Sequence, residues 1–445
     1  MAEVQNSVEA RTARYAEALA QMVRAETVSG APGAGNERFL RFRALLRALF
    51  PGLYGACEET GFDDGFLMRW PGRDPEKPPL LFMNHHDVVE AEGAWRFPPF
   101  SGQIAEGRLW GRGTLDDKGG LWAMLQAAEE LIAEGYVPAQ DIWFSSSSTE
   151  ETTGRGADAI SRWLEERGVR FRMCLDEGGF IVREPIPGAK ADFALIGVGE
   201  KGCADLKFTA RSRGGHASMP PGDTPLVRLG KFMAEADRHA IFPARLSSTV
   251  CALLRGLAPY MGAKGKLMAQ PERFRGLLTA ILLRISPRTA ALLRTTVAFT
   301  MAQGAGAVNV LPTEAWVICN MRYSHHQGQQ GSIDAIRKLA EKYDLETEVL
   351  DPGTPSRVAD PDGEAFAAVR RAVEAVFPGA VPLPYVMTGA SDARFFDRVC
   401  DQCVRFVPLR ADEAQLSSVH GLNENVALDA LAPAVDFYRR MMRGD

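Results

Sequence analysis

The chain has little of what marks a membrane protein, a secreted protein or a nucleic-acid-binding protein. Among its 445 residues no run of 18 apolar residues occurs, so we expect no transmembrane helix and no membrane partner. The N-terminal segment lacks the apolar core of a signal peptide, which favours a cytoplasmic protein. Lysine and arginine total 51 against 56 acidic residues, and the net charge is −5. This balance does not favour nucleic acid as a partner.

Cysteine and histidine are also scarce, with seven of each. An odd number of cysteines spread over a long chain does not form a disulfide framework, which favours a reducing compartment. Cys400 and Cys403 form one CxxC pair with no second pair to complete a zinc site, so we interpret them as structural. Any metal site in this chain must therefore consist mainly of carboxylates with a few histidines.

Hydrophobic periodicity in the first part of the chain predicts strands that alternate with helices. Short apolar runs predict strands, whereas apolar positions at helical spacing predict helices. Strands alternating with helices are typical of βαβ units and a mostly parallel sheet. The predicted strands are 80–83, 142–146 and 173–175, and the predicted helices are 119–133 and 157–166.

The pattern changes in the middle of the chain and returns to α/β near the end. Residues 241–300 are rich in arginine and leucine and predict two or three helical segments. We therefore predict an α/β catalytic domain in two parts, 1–195 and 353–445, interrupted by a smaller α+β domain at 196–352. The predicted strands of the smaller domain include 193–198, 204–210, 315–321 and 347–350, and its helices include 224–237 and 333–342.

Residue types that bind metal ions are concentrated in a few short segments. Four of these segments follow a predicted strand directly or lie in the loop after it, and open α/β sheets place their sites at the carboxyl ends of strands. Packing several carboxylates together costs free energy unless a cation neutralises them. A mixture of imidazole and carboxylate suits zinc, cobalt or manganese. The segments are His85-His86-Asp87, Asp116-Asp117, Glu150-Glu151 and Asp176-Glu177, with His420 far downstream.

Each segment also has an ordinary structural explanation. His85 and Asp87 could form a hydrogen-bonded pair, and Asp116-Asp117 could cap the following helix. Glu150-Glu151 could be a solvated first helical turn, and Asp176-Glu177 could form a turn. The coincidence of all four at strand ends favours a metal site over four separate structural roles.

These segments and their surroundings resemble the M20 metallopeptidase family of zinc amidohydrolases. The match covers nearly the whole chain in family order. The resemblance implies a zinc-hydrolase catalytic domain with an inserted lid and dimerisation domain, and therefore a homodimer. The matching stretches are LLFMNHHDVVEAEGAWRFPPF, GRGTLDDKGG, SSTEETTGRGAD, LDEGG, GGHASMP, AVNVLP, TGASDARFF and VHGLNENV.

The resemblance implies a role for each residue of the site. Asp116 is similar to the carboxylate that bridges two metal ions and is often followed by a cis peptide bond. The resemblance also implies that His85 and Glu177 complete one ion's ligands, and that Glu151 and His420 complete the other's. Glu150 is similar to the general base, and Asp87 to the carboxylate that orients His85. In this interpretation His86 is a spacer.

The same resemblance implies a substrate with an amide bond next to a free carboxylate, either a peptide or an N-acyl amino acid. His216 resembles a histidine that reaches the partner subunit's site, and Asn309, Arg322 and Arg394 resemble substrate contacts. The two arginines could instead form structural ion pairs. A narrow biosynthetic deacylase and a catalytically inactive binding protein are the alternatives. The 241–300 insertion resembles that of the carboxypeptidase S branch, and it could line an apolar substrate pocket or only thicken the lid.

Overall fold

The computed structural model describes residues 2–30, 36–186, 188–238 and 240–445. Its strands are β1 (Glu58–Phe62), β2 (Gly65–Trp70), β3 (Leu80–Met83), β4 (Gln103–Ala105), β5 (Arg108–Trp110), β6 (Ile142–Ser147), β7 (Met173–Asp176), β8 (Ile181–Arg183), β9 (Asp192–Glu200), β10 (Gly202–Arg211), β11 (Gly215–His216), β12 (Thr296–Gln303), β13 (Val310–Leu311), β14 (Glu314–Tyr323), β15 (Glu346–Asp351), β16 (Ala380–Met387), β17 (Cys403–Arg405), β18 (Arg410–Ala411) and β19 (Asn425–Ala427). Its α-helices are α1 (Ala2–Arg24), α2 (Glu37–Leu49), α3 (Pro51–Ala56), α4 (Lys118–Ala133), α5 (Arg155–Glu166), α6 (Pro225–Ala236), α7 (Ser248–Leu257), α8 (Gly265–Met268), α9 (Arg275–Ile285), α10 (Pro287–Ala291), α11 (Gly328–Lys342), α12 (Glu364–Val376), α13 (Ala393–Phe396), α14 (Glu413–Ser418) and α15 (Leu431–Arg443).

A large, mostly parallel sheet forms the centre of the molecule. Its strand order is β1-β2-β6-β3-β7-β17-β9-β8-β18, and β16 pairs with β9. The pairs β6-β3, β3-β7, β7-β17, β9-β16 and β8-β18 are parallel. The pairs β1-β2, β2-β6 and β8-β9 are antiparallel. The α/β fold class expected from the sequence is confirmed.

Helix α4 shows how the core covers this sheet. Its side chains are apolar on nearly every face, and Leu121, Trp122 and Leu125 are fully buried. A helix that is apolar all round must be enclosed on all sides. Helices α1 and α15 enclose it, and Tyr15 of α1 meets Trp122 edge to face at 5.1 Å.

A second, four-stranded antiparallel sheet has the order β12-β14-β10-β15. The strand predicted at 193–198 does not belong to it: as β9 it lies in the large sheet, antiparallel to β8 and β17 and parallel to β16. Strand β14 alternates between buried and less buried residues, as expected for a sheet with one covered face. Helices α6 and α11 cover that face through residues such as Phe232 and Ile336. This sheet has its own apolar cluster, separate from the main core.

Of the helices α7 to α10, which lie between α6 and β12, α7 packs on β16 of the large sheet, and α8 and α9 add buried side chains to the same apolar cluster. Leu254 and Leu257 of α7 share an apolar cluster with Phe193 of β9 and Leu383 of β16. The approach is close, since a Cβ atom on Gly256 would lie 2.1 Å from Leu383 Cδ2. The helical expectation for 241–300 is confirmed for α7 to α10 but is wrong at its end, where the β-branched start of β12 (Thr296–Gln303) forms a strand.

Strand β16 was not expected from the sequence, because Pro382 and Pro384 interrupt its apolar pattern. Proline is tolerated where a backbone N–H is not needed by a neighbouring strand. Among the described residues β16 pairs with β9 only, which leaves its other edge free for these prolines. None of the described helices combines the length and the apolar character that crossing a bilayer requires.

Candidate metal centre

Three of the candidate ligand segments lie at the carboxyl ends of adjacent parallel strands. Strands β6, β3 and β7 are neighbours in the large sheet. His85 follows β3, Glu150 follows β6 and Glu177 follows β7. Strand β3 is completely buried, so its direction is set by packing on both faces of the sheet. The three segments therefore meet at one edge of the sheet, where the sequence predicted them.

Asp87 connects two of these strand ends. Its buried carboxylate accepts hydrogen bonds from the backbone N–H groups of Glu150, at 3.3 Å, and Glu151, at 3.1 Å. One of its oxygens lies 3.3 Å from His85 Nδ1, which also meets the backbone carbonyl oxygen of Asp87 at 3.0 Å. A carboxylate on the outer nitrogen of a metal-binding histidine fixes its tautomer and ring orientation. The predicted orienting role of Asp87 requires the contact between its carboxylate and His85 Nδ1.

Asp116 joins these residues from a loop and not from a strand end of the large sheet. It lies in the loop between β5, a strand of a small separate sheet, and α4, and the peptide bond between Asp116 and Asp117 is cis. The loop is held by Glu424, whose carboxylate accepts from the backbone N–H groups of Gly113 (3.0 Å), Leu115 (2.8 Å) and Asp116 (3.1 Å).

Glu424 was missed in the sequence, although it lies in the quoted VHGLNENV stretch, four residues after His420. It is fully buried and also accepts from Arg112 Nη1 at 2.8 Å. The only available signal was its position in that stretch, since a single acidic residue there could also be a surface group. Glu424 connects the Asp116 loop to the segment that carries His420.

The two oxygens of Asp116 face two different histidines. Oδ1 lies 3.0 Å from His85 Nε2, and Oδ2 lies 3.1 Å from His420 Nε2. His420 Nε2 also lies 3.0 Å from Glu151 Oε2. His420 adopts a left-handed backbone conformation with φ of 58°, which is uncommon outside glycine and is often found at functional sites. Asp116 therefore lies centrally between the two imidazoles.

The donor set fits divalent metal ions. Ligand atoms of His85, Asp116 and Glu151 lie within 4.8 Å of one another. Glu151 Oε1 is buried and has no hydrogen-bond partner among the described residues. Burial raises the pKa of Glu177 well above its ordinary value, and the nearby carboxylates of Asp176, Asp116 and Glu150 raise it further. Bound cations would supply the missing partner and neutralise this excess of negative charge.

Glu150 lies beside these residues and has a different environment. Burial raises its pKa well above the ordinary glutamate value, and Asp392 and Glu151 raise it further, against the opposing effects of His85 and Arg394. Its Oε1 lies 3.9 Å from Arg394 Nη1. A raised pKa makes this carboxylate a stronger base than an ordinary glutamate, and a general base must take up a proton.

A cavity of about 750 Å³ opens over the metal-type ligands and reaches the four-stranded sheet. Arg322 of β14 lines it and donates to Asn320 Oδ1 at 3.0 Å, while Asn320 Nδ2 donates to Asp205 at 2.7 Å. Lys201, which was not predicted, also lines it, and its ammonium donates to the carbonyl of Arg294 at 2.9 Å. The wall opposite the carboxylates therefore carries the basic side chains Arg322 and Lys201 beside the acids Asp205 and Asp351.

Arg394 lines the same cavity, and its position is compatible with both roles that the sequence left open, substrate contact and ion pairing. Its guanidinium lies 3.9 Å from the carboxylates of Glu150 and Glu200 and over the ring of Phe395 at 4.5 Å. Arg394 therefore takes part in ion pairing and also faces the space that a substrate would occupy.

His216 and Asn309 lie apart from this cavity. Both are exposed, and they lie where the short strands β11 and β13, which are distant in sequence, pair antiparallel. The N–H of Ala217 donates to the carbonyl of Asn309 at 3.0 Å. Neither residue lines the described cavity, so within one chain they do not join the other predicted site residues.

His86 and the cysteines lie outside the candidate centre. His86 is fully buried, stacks on Phe42 at 5.5 Å and pairs with Ser146 Oγ at 2.8 Å, and burial holds its pKa well below the ordinary value. Cys174 lies with Cys400 and Cys403 in a buried apolar cluster. Structural zinc sites use four ligands, so among the described residues these three thiols fit the structural interpretation.

Known proteins with the same organisation confirm the resemblance. The family model for peptidase family M20/M25/M40 matches residues 81–444. The chain belongs to this family. It is 32% identical over 430 residues to the human N-fatty-acyl-amino acid synthase/hydrolase PM20D1, covering 95% of this chain and 86% of the relative. It is 29% identical to the probable carboxypeptidase S-like 2 of Dictyostelium discoideum, covering 91% and 79%.

The fold agrees with solved structures of M20 proteins. The M20 family metallo-carboxypeptidase Sso-CP2 from Sulfolobus solfataricus aligns with a TM-score of 0.70 at 16% identity, covering 96% of this chain and 97% of that one. As a member of the M20 family, the chain is a metal-dependent hydrolase that acts on amide bonds.

Proposed function

We propose that this M20 protein is a dinuclear metallohydrolase that cleaves an amide bond next to a free carboxylate, in a peptide or an N-acyl amino acid. The observation that carries the proposal is Asp116, whose two oxygens face His85 and His420 separately. A carboxylate in this position can bridge two ions. Glu177 would join His85 on one ion, and Glu151 would join His420 on the other. Zinc suits these nitrogen and oxygen donors, and cobalt or manganese are also compatible.

The residues of the chain divide the reaction between them. When bound, the metal ions would lower the pKa of a water molecule and polarise the scissile carbonyl group. Glu150 would take the proton of the attacking water on a carboxylate oxygen and deliver it to the leaving amine. Burial raises the pKa of Glu150, which makes its ionised carboxylate a stronger base and lets it hold the proton between these two steps. No side-chain nucleophile is needed, and no GxSxG motif is present in the sequence.

The basic side chains on the wall opposite the metal-type ligands support a substrate with a free carboxylate. The planar guanidinium of Arg322 can bind both oxygens of a carboxylate, and Asn320 orients it. Lys201 lies in the same wall as a second basic side chain, although burial lowers its pKa to about 7. The human relative is named for N-fatty-acyl-amino acids and the Dictyostelium relative for carboxypeptidase S. Both names support a substrate of this kind.

A homodimer is part of the proposal, because His216 and Asn309 are exposed and lie outside the cavity of their own chain. In a symmetric dimer they would reach the partner's cavity and contact its substrate there. The cysteines are free thiols in the structure, which supports the proposed cytoplasmic location.

A hydrolysis panel tests the proposal. The purified protein is loaded with zinc, cobalt or manganese and assayed against dipeptides, N-acyl amino acids, and N-succinyl and N-acetyl biosynthetic intermediates. We expect hydrolysis of several substrates that carry a free carboxylate and none of the corresponding carboxamides. Activity on a single succinylated or acetylated substrate would favour the narrow deacylase. Stoichiometric metal binding without any hydrolysis would favour the inactive binding protein.

A further inference from the structure

An apolar pocket of about 340 Å³ adjoins the metal centre. It shares Gly178, Phe180 and Val419 with the lining of the catalytic cavity, so the two spaces meet. Gly178 directly follows Glu177, and Val419 directly precedes His420. The pocket therefore begins one residue away from two of the proposed metal ligands.

The end of strand β16 and the residue after it lie between the two spaces, beyond a register shift between Tyr385 and Val386; Tyr385 also lines the apolar pocket. Val386 and Thr388 line the apolar pocket, whereas Met387 between them lines the catalytic cavity. Successive side chains of a strand point to opposite sides. The end of β16 thus forms a dividing wall, and the junction beside Phe180 is where the pocket and the cavity meet.

Much of the opposite wall of the pocket comes from the helical insertion. Leu253 and Leu257 of α7 and Leu292, just after α10, line the pocket. The close contact of α7 with Leu383 fixes this wall against the large sheet. Phe193 and Tyr260 meet edge to face at 5.2 Å on the same interface. The pocket is therefore built between the insertion and the sheet, by segments that are distant in sequence.

Two of the polar groups in the lining are already paired within the protein. Tyr385 donates its hydroxyl to the carbonyl of Gly178 at 3.2 Å, and Thr289 donates to the carbonyl of Leu282 at 2.6 Å. The charged residue of the lining, Arg288, is exposed. A ligand in the pocket would therefore meet mainly hydrocarbon walls and few unpaired polar groups, so the pocket selects an apolar chain.

We infer that this pocket binds the hydrocarbon chain of the acyl group of an N-acyl amino acid. The inference rests on the proposed function, in which the amide lies at the metal ligands and the carboxylate at Arg322 and Lys201. The acyl carbon lies on the other side of the amide bond from the amino acid. Its chain therefore leaves the metal centre in the direction away from Arg322 and Lys201. The junction at Gly178, Phe180 and Val419 offers it an apolar exit.

The volume sets a chain length. A methylene is close in size to a water molecule, which occupies about 30 Å³ in the liquid, so 340 Å³ holds on the order of ten chain atoms. Each methylene removed from water improves transition-state binding by up to about fourfold. We expect kcat/KM for a series of N-acyl-alanines to rise with chain length to about ten carbons and then level off.

Two variants and one control test the pocket directly. Leu292→Trp adds bulk to the insertion wall, and Leu416→Trp adds bulk from α14, on the other side of the lining. Leu277→Trp is the matched control, because Leu277 lies in the same insertion but is half exposed and does not line the pocket. We expect the kcat/KM ratio of decanoyl-alanine to acetyl-alanine to fall at least tenfold in the first two variants and to be unchanged in the control. If Leu292→Trp fails to fold, Leu416→Trp decides the outcome.

Failure of this inference differs from failure of the proposed function. A flat chain-length profile in an active enzyme, or an unchanged ratio in both pocket variants, would overturn the acyl pocket and leave the hydrolase intact. Decanoate binding, measured by calorimetry on the metal-loaded protein, provides an assay without turnover. One-to-one binding weakened by Leu292→Trp but not by Leu277→Trp, with no hydrolysis of any acyl length, would keep the pocket and refute the hydrolase. Neither binding nor hydrolysis would refute both.

Discussion

Removing the Glu424 carboxylate should affect both stability and metal affinity, because one buried side chain supports both. The carboxylate accepts three backbone hydrogen bonds from the loop that ends at Asp116 and forms an ion pair with buried Arg112. Glu424→Ala leaves three donors and one guanidinium without this acceptor. Arg112 still donates to the carbonyl of Gly421 at 2.8 Å, so the guanidinium loses only part of its hydrogen bonding.

The size of the effect follows from these contacts. Breaking a buried ion pair by removing one partner typically costs about 3–5 kcal/mol. Each freed backbone N–H that stays buried adds about 1–3 kcal/mol, so the loss in Glu424→Ala should be at least about 3–5 kcal/mol. Disturbing a group that positions a metal ligand typically lowers metal affinity by about ten- to a hundredfold. We therefore expect a lower free energy of unfolding and weaker metal binding in the same variant.

The measurements are urea unfolding of the metal-free protein and metal titration of the folded protein. Glu413→Ala is the control, because Glu413 is an exposed acid on α14 of the same segment, and its effect should stay within about 0.5 kcal/mol. The double variant Arg112→Met with Glu424→Leu removes the unpaired charge and should recover stability. It should not recover metal affinity, because the Asp116 N–H still lacks its acceptor. Unchanged metal affinity in Glu424→Ala would refute the role of Glu424 in positioning Asp116.

Three further predictions concern the roles of individual site residues. Glu150→Gln should abolish turnover and keep the metal content, whereas Glu151→Ala should lose both turnover and metal. Equal metal loss in the two variants, measured by elemental analysis, would contradict the assigned roles. Arg322→Ala should raise KM for carboxylate-bearing substrates by about ten- to a hundredfold with a smaller change in kcat, because a charge-assisted hydrogen bond contributes about 1.5–3 kcal/mol. A loss of kcat with unchanged KM would exclude a role of Arg322 in substrate binding. His216→Ala and Glu150→Gln should each be inactive. If His216 acts on the partner's site of a twofold dimer, mixing and reassociating the two variant subunits should restore about a quarter of wild-type activity. No restored activity would place the function of His216 within its own chain.

The strands that carry His85, Glu150 and Glu177 could be predicted from local pattern. A short, uninterrupted apolar run such as β3 is typical of a strand buried on both faces, and the polar residue that follows marks its end. Strand β16 could not be predicted in the same way, since its two prolines are tolerated only because its free edge needs no donor. Whether a strand has such an edge depends on its neighbours in the sheet.

Lys201 and Arg322 illustrate a second limit of local pattern. Lys201 directly follows β9 and Arg322 lies within β14, where polar and apolar residues alternate. A lysine or arginine at such a position is usually solvated. Only the packing of the four-stranded sheet over the ligand edge places them across the cavity from the carboxylates. Lys201 is buried there, and burial lowers its pKa to about 7, with Arg322 and Arg294 contributing in the same direction.

By itself the sequence determined which residues are available to bind metal and which strand ends carry most of them, because apolar runs and their polar ends are local properties of the chain. The tertiary structure decided how Asp116 joins them, since that depends on hydrogen bonds to Glu424, some 300 residues away. It also decided that the insertion packs on the large sheet and encloses an apolar pocket beside the ligands. Both outcomes depend on contacts between distant segments, which no local periodicity encodes.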